Sequence, residues 1–189
     1  MALSPSRQVL YYNTENGRDL FHFCASLEKL LRKKYTRDRK LIFLCIGTDR
    51  ATGDSLGPVL GYKLQRLSMP ETAIYGNLSH PVHAQNLSDT LKQIYKEHSN
   101  PFIVAIDASL GKKEQIGYIS LKTEGIYPGQ GVNKILPKTG DISITGIVNT
   151  DTPLNQLLLQ TTRLNTVVNL ADFICSAISY TYHSIFKCE

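Results

Sequence analysis

The run Leu41-Ile42-Phe43-Leu44-Cys45-Ile46-Gly47 decides the fold. It is apolar without alternation and ends on a glycine, the pattern of a strand buried on both faces. A strand covered above and below needs helices on either side, which points to an α/β architecture. The residues that follow agree with this. Residues 48–54 (TDRATGD) read as a loop. Residues 55–67 (SLGPVLGYKLQRL) read as a helix with Leu56, Val59, Leu60, Leu64 and Leu67 on one face. Pro58 falls in its first turn, where a missing N–H costs nothing.

The same pattern repeats outward. Residues 102–107 (FIVAID) form a second buried strand and residues 141–148 (DISITGIV) another, with a short strand at 73–75 and an alternating one at 116–121. Helices are expected from Asp19 to the basic end Arg32-Lys33-Lys34, over 86–97, and from Asp151 to about Phe186 with an interruption near 165–169. Residues 1–17 read as an N-terminal arm and residues 123–134 (TEGIYPGQGVNK) as a glycine-rich loop. Strands alternating with helices give a single α/β domain over 1–189, a three-layer αβα arrangement around a mainly parallel sheet.

At 189 residues, with 42% hydrophobic and 20% charged side chains, the chain is composed like a globular domain and not a disordered one. No apolar run approaches the ~20 residues of a membrane span, and MALSPSRQVL lacks a signal-peptide core. An intracellular protein without membrane contact is expected. Cys24, Cys45, Cys175 and Cys188 have no CxxC spacing, which excludes a zinc ribbon and favours reduced, structural thiols. The net charge of +5 is compatible with acidic partners. The basic residues between Arg32 and Lys40 suit a solvated helix end better than a nucleic-acid site, so no direct nucleic-acid contact is expected.

Sites in open α/β sheets form at the carboxyl ends of strands. That rule brings together Asp54 after the first buried strand, His80 and His83 after the next, and Asp107 at the end of FIVAID. Each aspartate has a plain alternative as a helix cap or turn former. As a pair they repel, so one pKa rises and the two share a proton; one is then a base toward water and the other an acid toward a carbonyl. The same pair with a histidine offers ligands to a divalent metal. GTDRATGD matches neither phosphate-binding glycine fingerprint, and Ser55 lacks a nucleophile elbow. Gly129, Gly131 and Asn133 of the glycine-rich loop are candidate substrate contacts beside His80 and His83, while His22, His98 and His183 read as structural or solvated.

Three segments in order, GDSLGP (53–58), AIDAS (105–109) and GIYPGQGVNK (125–134), resemble those of the germination protease of spore-forming bacteria. With GTDRATGDSLGP and HPVHAQNL added, nearly the whole chain resembles the shorter YyaC family of sporulation proteins, for which a spore-protease role has been suggested. The resemblance implies the phosphorylase/hydrolase-like α/β fold shared with hydrogenase maturation proteases. It implies an aspartic-type catalytic pair at Asp54 and Asp107, small acid-soluble spore proteins or another spore protein as substrate, and a cytoplasmic place in the forespore, mother cell or spore core. Maturation proteases sense nickel through acidic and histidine ligands; here Ser55 stands where those enzymes tend to have glutamate. The leading expectation is therefore a sporulation or germination peptidase without a cofactor. The alternatives are a catalytically silent factor binding a peptide in the same crevice, and a metal-dependent maturation-type protease.

Overall fold

Six strands form one mixed sheet in the order β1-β5-β6-β4-β2-β3. The structure, a computed structural model, describes residues 9–128 and 138–186. Strands β2 (Leu41–Cys45), β3 (Thr72–Tyr75), β4 (Phe102–Gly111) and β6 (Ile142–Thr150) run parallel, and β5 (Tyr118–Lys122) and β1 (Val9–Asn13) add on antiparallel. The segment read as an arm thus contributes the edge strand β1, whose Tyr12 is buried. Helix α1 (Gly17–Lys34) starts two residues earlier than its apolar face suggested. The Asn16 side chain caps it, and Asp19 bonds back to the Asn13 N–H at 2.7 Å.

The two faces of the sheet are covered unequally. On one face α1, α2 (Leu56–Leu64) and α5 (Leu164–Phe186) pack on Leu41, Phe43, Val104, Ile106, Ile142 and Ile144. The spacings of three and four at Val167, Leu170, Ala171, Ile174, Ala177 and Ile178 give α5 its inward stripe. On the other face α3 (Leu87–Glu97) packs Leu87 and Ile94 on Ile42, Leu44, Ile103 and Ala105. Among the described residues this is the one helix on that face, and it covers only the β4–β2–β3 half of the sheet.

Two boundaries differ from the sequence reading in ways that matter. β4 does not stop at Asp107 but runs four residues on, because Ser109 and Gly111 find partners in β6 (Ile147 and Thr150). A polar, glycine-containing tail looks like loop until a neighbouring strand takes its backbone. The final helix breaks at Thr162–Arg163, not at 165–169, leaving a short α4 (Asn155–Thr161). Thr162 turns away there with its hydroxyl bonded to the Leu158 carbonyl at 2.7 Å, and it is buried against Gly53.

Candidate functional site

A cleft of about 1130 Å³ opens on the half of the sheet that α3 leaves bare. Its geometry follows from unequal strand lengths. β2 ends at Cys45, opposite Ile106, while β4 and β6 continue together to Gly111 and Thr150. Asp107 is thus the first β4 residue beyond the end of β2, and it is 8% exposed.

Gly47 turns the chain away from β4. Its N–H bonds the Val82 carbonyl at 2.7 Å, and Ile46 bridges to Val82. Its φ of +143° suits glycine, and a Cβ there would lie 2.0 Å from the Asp54 carbonyl. A tight 3₁₀ turn, Thr52–Ser55, then brings Asp54 back to the strand end. Thr48 donates its N–H both to the Asp54 carbonyl at 3.1 Å and to Asp54 Oδ2 at 3.0 Å. Asp54 therefore does not cap α2, whose N-cap Ser55 makes no side-chain cap bond. Asp107 sits inside a strand and caps no helix; its Oδ1 accepts from Ala108 N–H at 2.8 Å.

Both carboxyls line the cleft, and their environments separate them. Burial pushes Asp54 up to about 6, against the lowering effect of the Thr48 N–H. Burial and the nearby Asp54 charge push Asp107 well above the usual carboxylate range. Of the two, Asp54 ionises first, and its charge favours the proton on Asp107. Each keeps one oxygen clear of these backbone bonds: Oδ1 of Asp54 and Oδ2 of Asp107.

Of the two loop histidines, His83 lines the cleft and His80 does not. His83 sits at the rim with Ala84 and Gln85; its Nδ1 accepts from Gln85 N–H at 3.3 Å, which leaves Nε2 as the protonated nitrogen of the neutral ring. His80 is exposed, its N–H spent on the Asn77 side chain. Gly129, Gly131 and Asn133 lie outside the described residues, while Gly125, Ile126 and Tyr127 just before them line the cleft. Asp54 and Asp107 have no third donor grouped with them: among the described residues no cluster of three His, Cys, Asp or Glu side chains is placed to hold a metal. The residues present do not form a metal-binding set of that kind. Cys24, Cys45 and Cys175 are free thiols raised by burial, and none lines the cleft.

Sequence reasoning missed the floor of the site. Register places Tyr11, Ser120, Thr145 and Asp107 side by side across four strands, on the face turned to the cleft. Ser120 and Thr145 are buried and share a hydroxyl–hydroxyl bond of 2.6 Å. The alternation in IGYISL and DISITGIV marks these hydroxyls as facing away from the core, but nothing local tells that their two strands are neighbours of Asp107. Charged side chains of both signs also line the cleft, Arg50, Lys112 and Lys122 with Glu124 and Asp151.

The fold is α/β, with the architecture of a hydrogenase maturation protease. The [NiFe] hydrogenase maturation protease HycI from Thermococcus kodakarensis KOD1 superposes with a TM-score of 0.52 over 83% of this chain and 98% of its own, at 14% identity, a likeness of fold alone. The chain belongs to the family described as "Protein of unknown function (DUF1256)", whose model matches residues 10–177. The "Uncharacterized protein YyaC" of Bacillus subtilis (strain 168) is 43% identical over 163 residues, covering 86% of this chain and 78% of that one. No helix among the described residues is long and apolar enough to cross a membrane.

Proposed function

We propose that the chain is a peptidase in which Asp54 and Asp107 activate water against an amide bond. The observation that carries this reading is one cleft with two carboxyls of unequal proton affinity, each with an oxygen clear of its backbone bond. Ionised Asp54 takes a proton from water, and the resulting hydroxide oxygen bonds to the amide carbon. Asp107 gives its proton to the carbonyl oxygen, so the π bond opens to a neutral diol. Asp54 then passes its proton to the amide nitrogen, the C–N bond breaks, and Asp107 recovers a proton from the diol hydroxyl. The pair returns to its starting state with one water consumed.

The resemblance to the germination protease directs the proposal to a spore protein as substrate, small acid-soluble proteins among them, acted on in the cytoplasm of the forespore, mother cell or spore. The test is incubation of the purified protein with an extract of acid-soluble spore proteins, read by mass spectrometry for new termini. Products from the native chain, lost in Asp54→Asn and in Asp107→Asn with the fold intact, support the reading. Products that persist in either variant, or that appear only when a divalent metal is added, overturn it. Saturable binding without products in any form assigns the cleft to a silent binding factor instead.

A further inference from the structure

Among the described residues, the carbonyl and N–H groups of β4 beyond Asp107 have a strand on one side only. Alternate residues of a strand direct their backbone groups to opposite neighbours. On β4 the Ile106 carbonyl accepts from Ile46 N–H at 2.7 Å on the β2 side, and the Gly111 carbonyl accepts from Asp151 N–H at 2.8 Å on the β6 side. The register irregularity at Ser109/Leu110 is taken up in β6, which passes from Ile147 to Asn149 while β4 advances one residue. Ala108 and Leu110 therefore point the same way as Ile106, toward the place β2 would occupy had it not ended at Cys45. The Ala108 N–H on that side is taken by Asp107 Oδ1. Among the described residues, the Ala108 carbonyl and both backbone groups of Leu110 have no strand to pair with there. Asp107, Ala108, Ser109, Leu110 and Gly111 all line the cleft, with Thr48, Arg50 and Ala51 across the gap.

We infer that this inner edge binds substrate as an added strand: an extended peptide lies in line with β2, between β4 and the 48–51 loop, bonded through its main chain to Ala108 and Leu110. The inference deepens the peptidase reading and rests on it for the identity of the occupant. Main-chain pairing recognises any extended segment, and side-chain pockets add preference. An edge confined to three backbone groups and flanked by a loop admits a single unfolded strand and excludes a folded sheet. It also sets the register of cleavage, because Ala108 follows Asp107 directly and bonds its carboxyl.

Leu110 gives a specific test. Its N–H faces the gap, so Leu110→Pro removes one peptide contact and no bond to β6, whereas Leu110→Ala keeps the N–H and removes the side chain. The measurement is amide hydrogen exchange by NMR on the Asp54→Asn protein, with a pool of random N-acetylated, C-amidated octapeptides as probe. At saturation the Leu110 amide is expected to slow about tenfold, Leu110→Ala to bind like its parent, and Leu110→Pro to lose binding with its thermal transition still cooperative. Unchanged exchange at Leu110, or protection appearing on the outer edges β1 or β3 instead, overturns the inference. If Leu110→Pro does not fold, the exchange result on the parent decides alone. Because binding is read on a form without turnover, failure of the peptidase reading shows separately, as absent products from the native chain.

Discussion

Asp54 and Asp107 are the same acid in water and different acids in the fold. Deep burial and a neighbouring charge hold the proton on Asp107, and partial burial places Asp54 near 6. Activity is therefore expected to rise through about pH 6 as Asp54 ionises and to fall at higher pH as Asp107 does, a two-limbed profile of kcat/KM against pH. The stability sign is opposite. Both folded values exceed those of the unfolded chain, so the native state holds extra protons, and stability declines as pH rises from about 4 through each folded value. For Asp54 the span from 3.8 to about 6 corresponds to roughly 3 kcal/mol. At pH 8, Asp54→Asn and Asp107→Asn should each melt several degrees above the native chain while losing at least about a hundredfold in rate. Variants that melt lower at pH 8 would show that the carboxylates are compensated by contacts their burial does not reveal.

At the scale of elements, the glycines at the strand-to-helix turn are what bring Asp54 to Asp107. A Cβ on Gly57 would sit 2.1 Å from the Ile46 carbonyl, so α2 starts in direct backbone contact with the end of β2. Gly57→Ala must displace α2 and is expected to cost about 1–3 kcal/mol. Asp54 precedes that glycine by three residues, so activity should drop by more than the unfolded fraction explains; urea titration and rate on one preparation separate the two. The basic run is explained by contacts distant in sequence. Arg32, Arg37, Arg39 and Lys40 donate to the carbonyls of Ser184, Ile185, Pro101 and Pro70, tying the α1–β2 connection to neighbouring chain ends.

Across the whole molecule, the covering of the sheet is lopsided, and the candidate cleft occupies the thin side. Among the described residues, three helices bury one face in the large cluster that includes Phe23, Phe43, Leu60 and Ile174, and α3 alone stands on the other. Local opening follows the weaker packing. Amides of α3 should therefore exchange through a sub-global opening below the free energy that exposes β4 and β6, and Leu87→Ala should widen that difference. Exchange of α3 and β4 with one common free energy would refute it. Opening of α3 would release the Val82–Gln85 segment, and with it His83, from the rim of the cleft.

Sequence alone determined the alternation of buried strands and amphipathic helices, and hence the α/β class, because hydrophobic periodicity is a local property. It also singled out Asp54 and Asp107, because carboxylates at strand ends are placed by connectivity rather than by packing. Only the tertiary structure decided the rest. Strand lengths depend on which neighbour pairs with a backbone, so β4 outran its apolar run and β1 emerged from an apparent arm. The hydroxyl row Ser120–Thr145 exists through register between strands that are distant in sequence, and His83 is separated from His80 by a single bridge, Ile46 to Val82. The two proton affinities, finally, come from burial, which no residue possesses until the chain has closed around it.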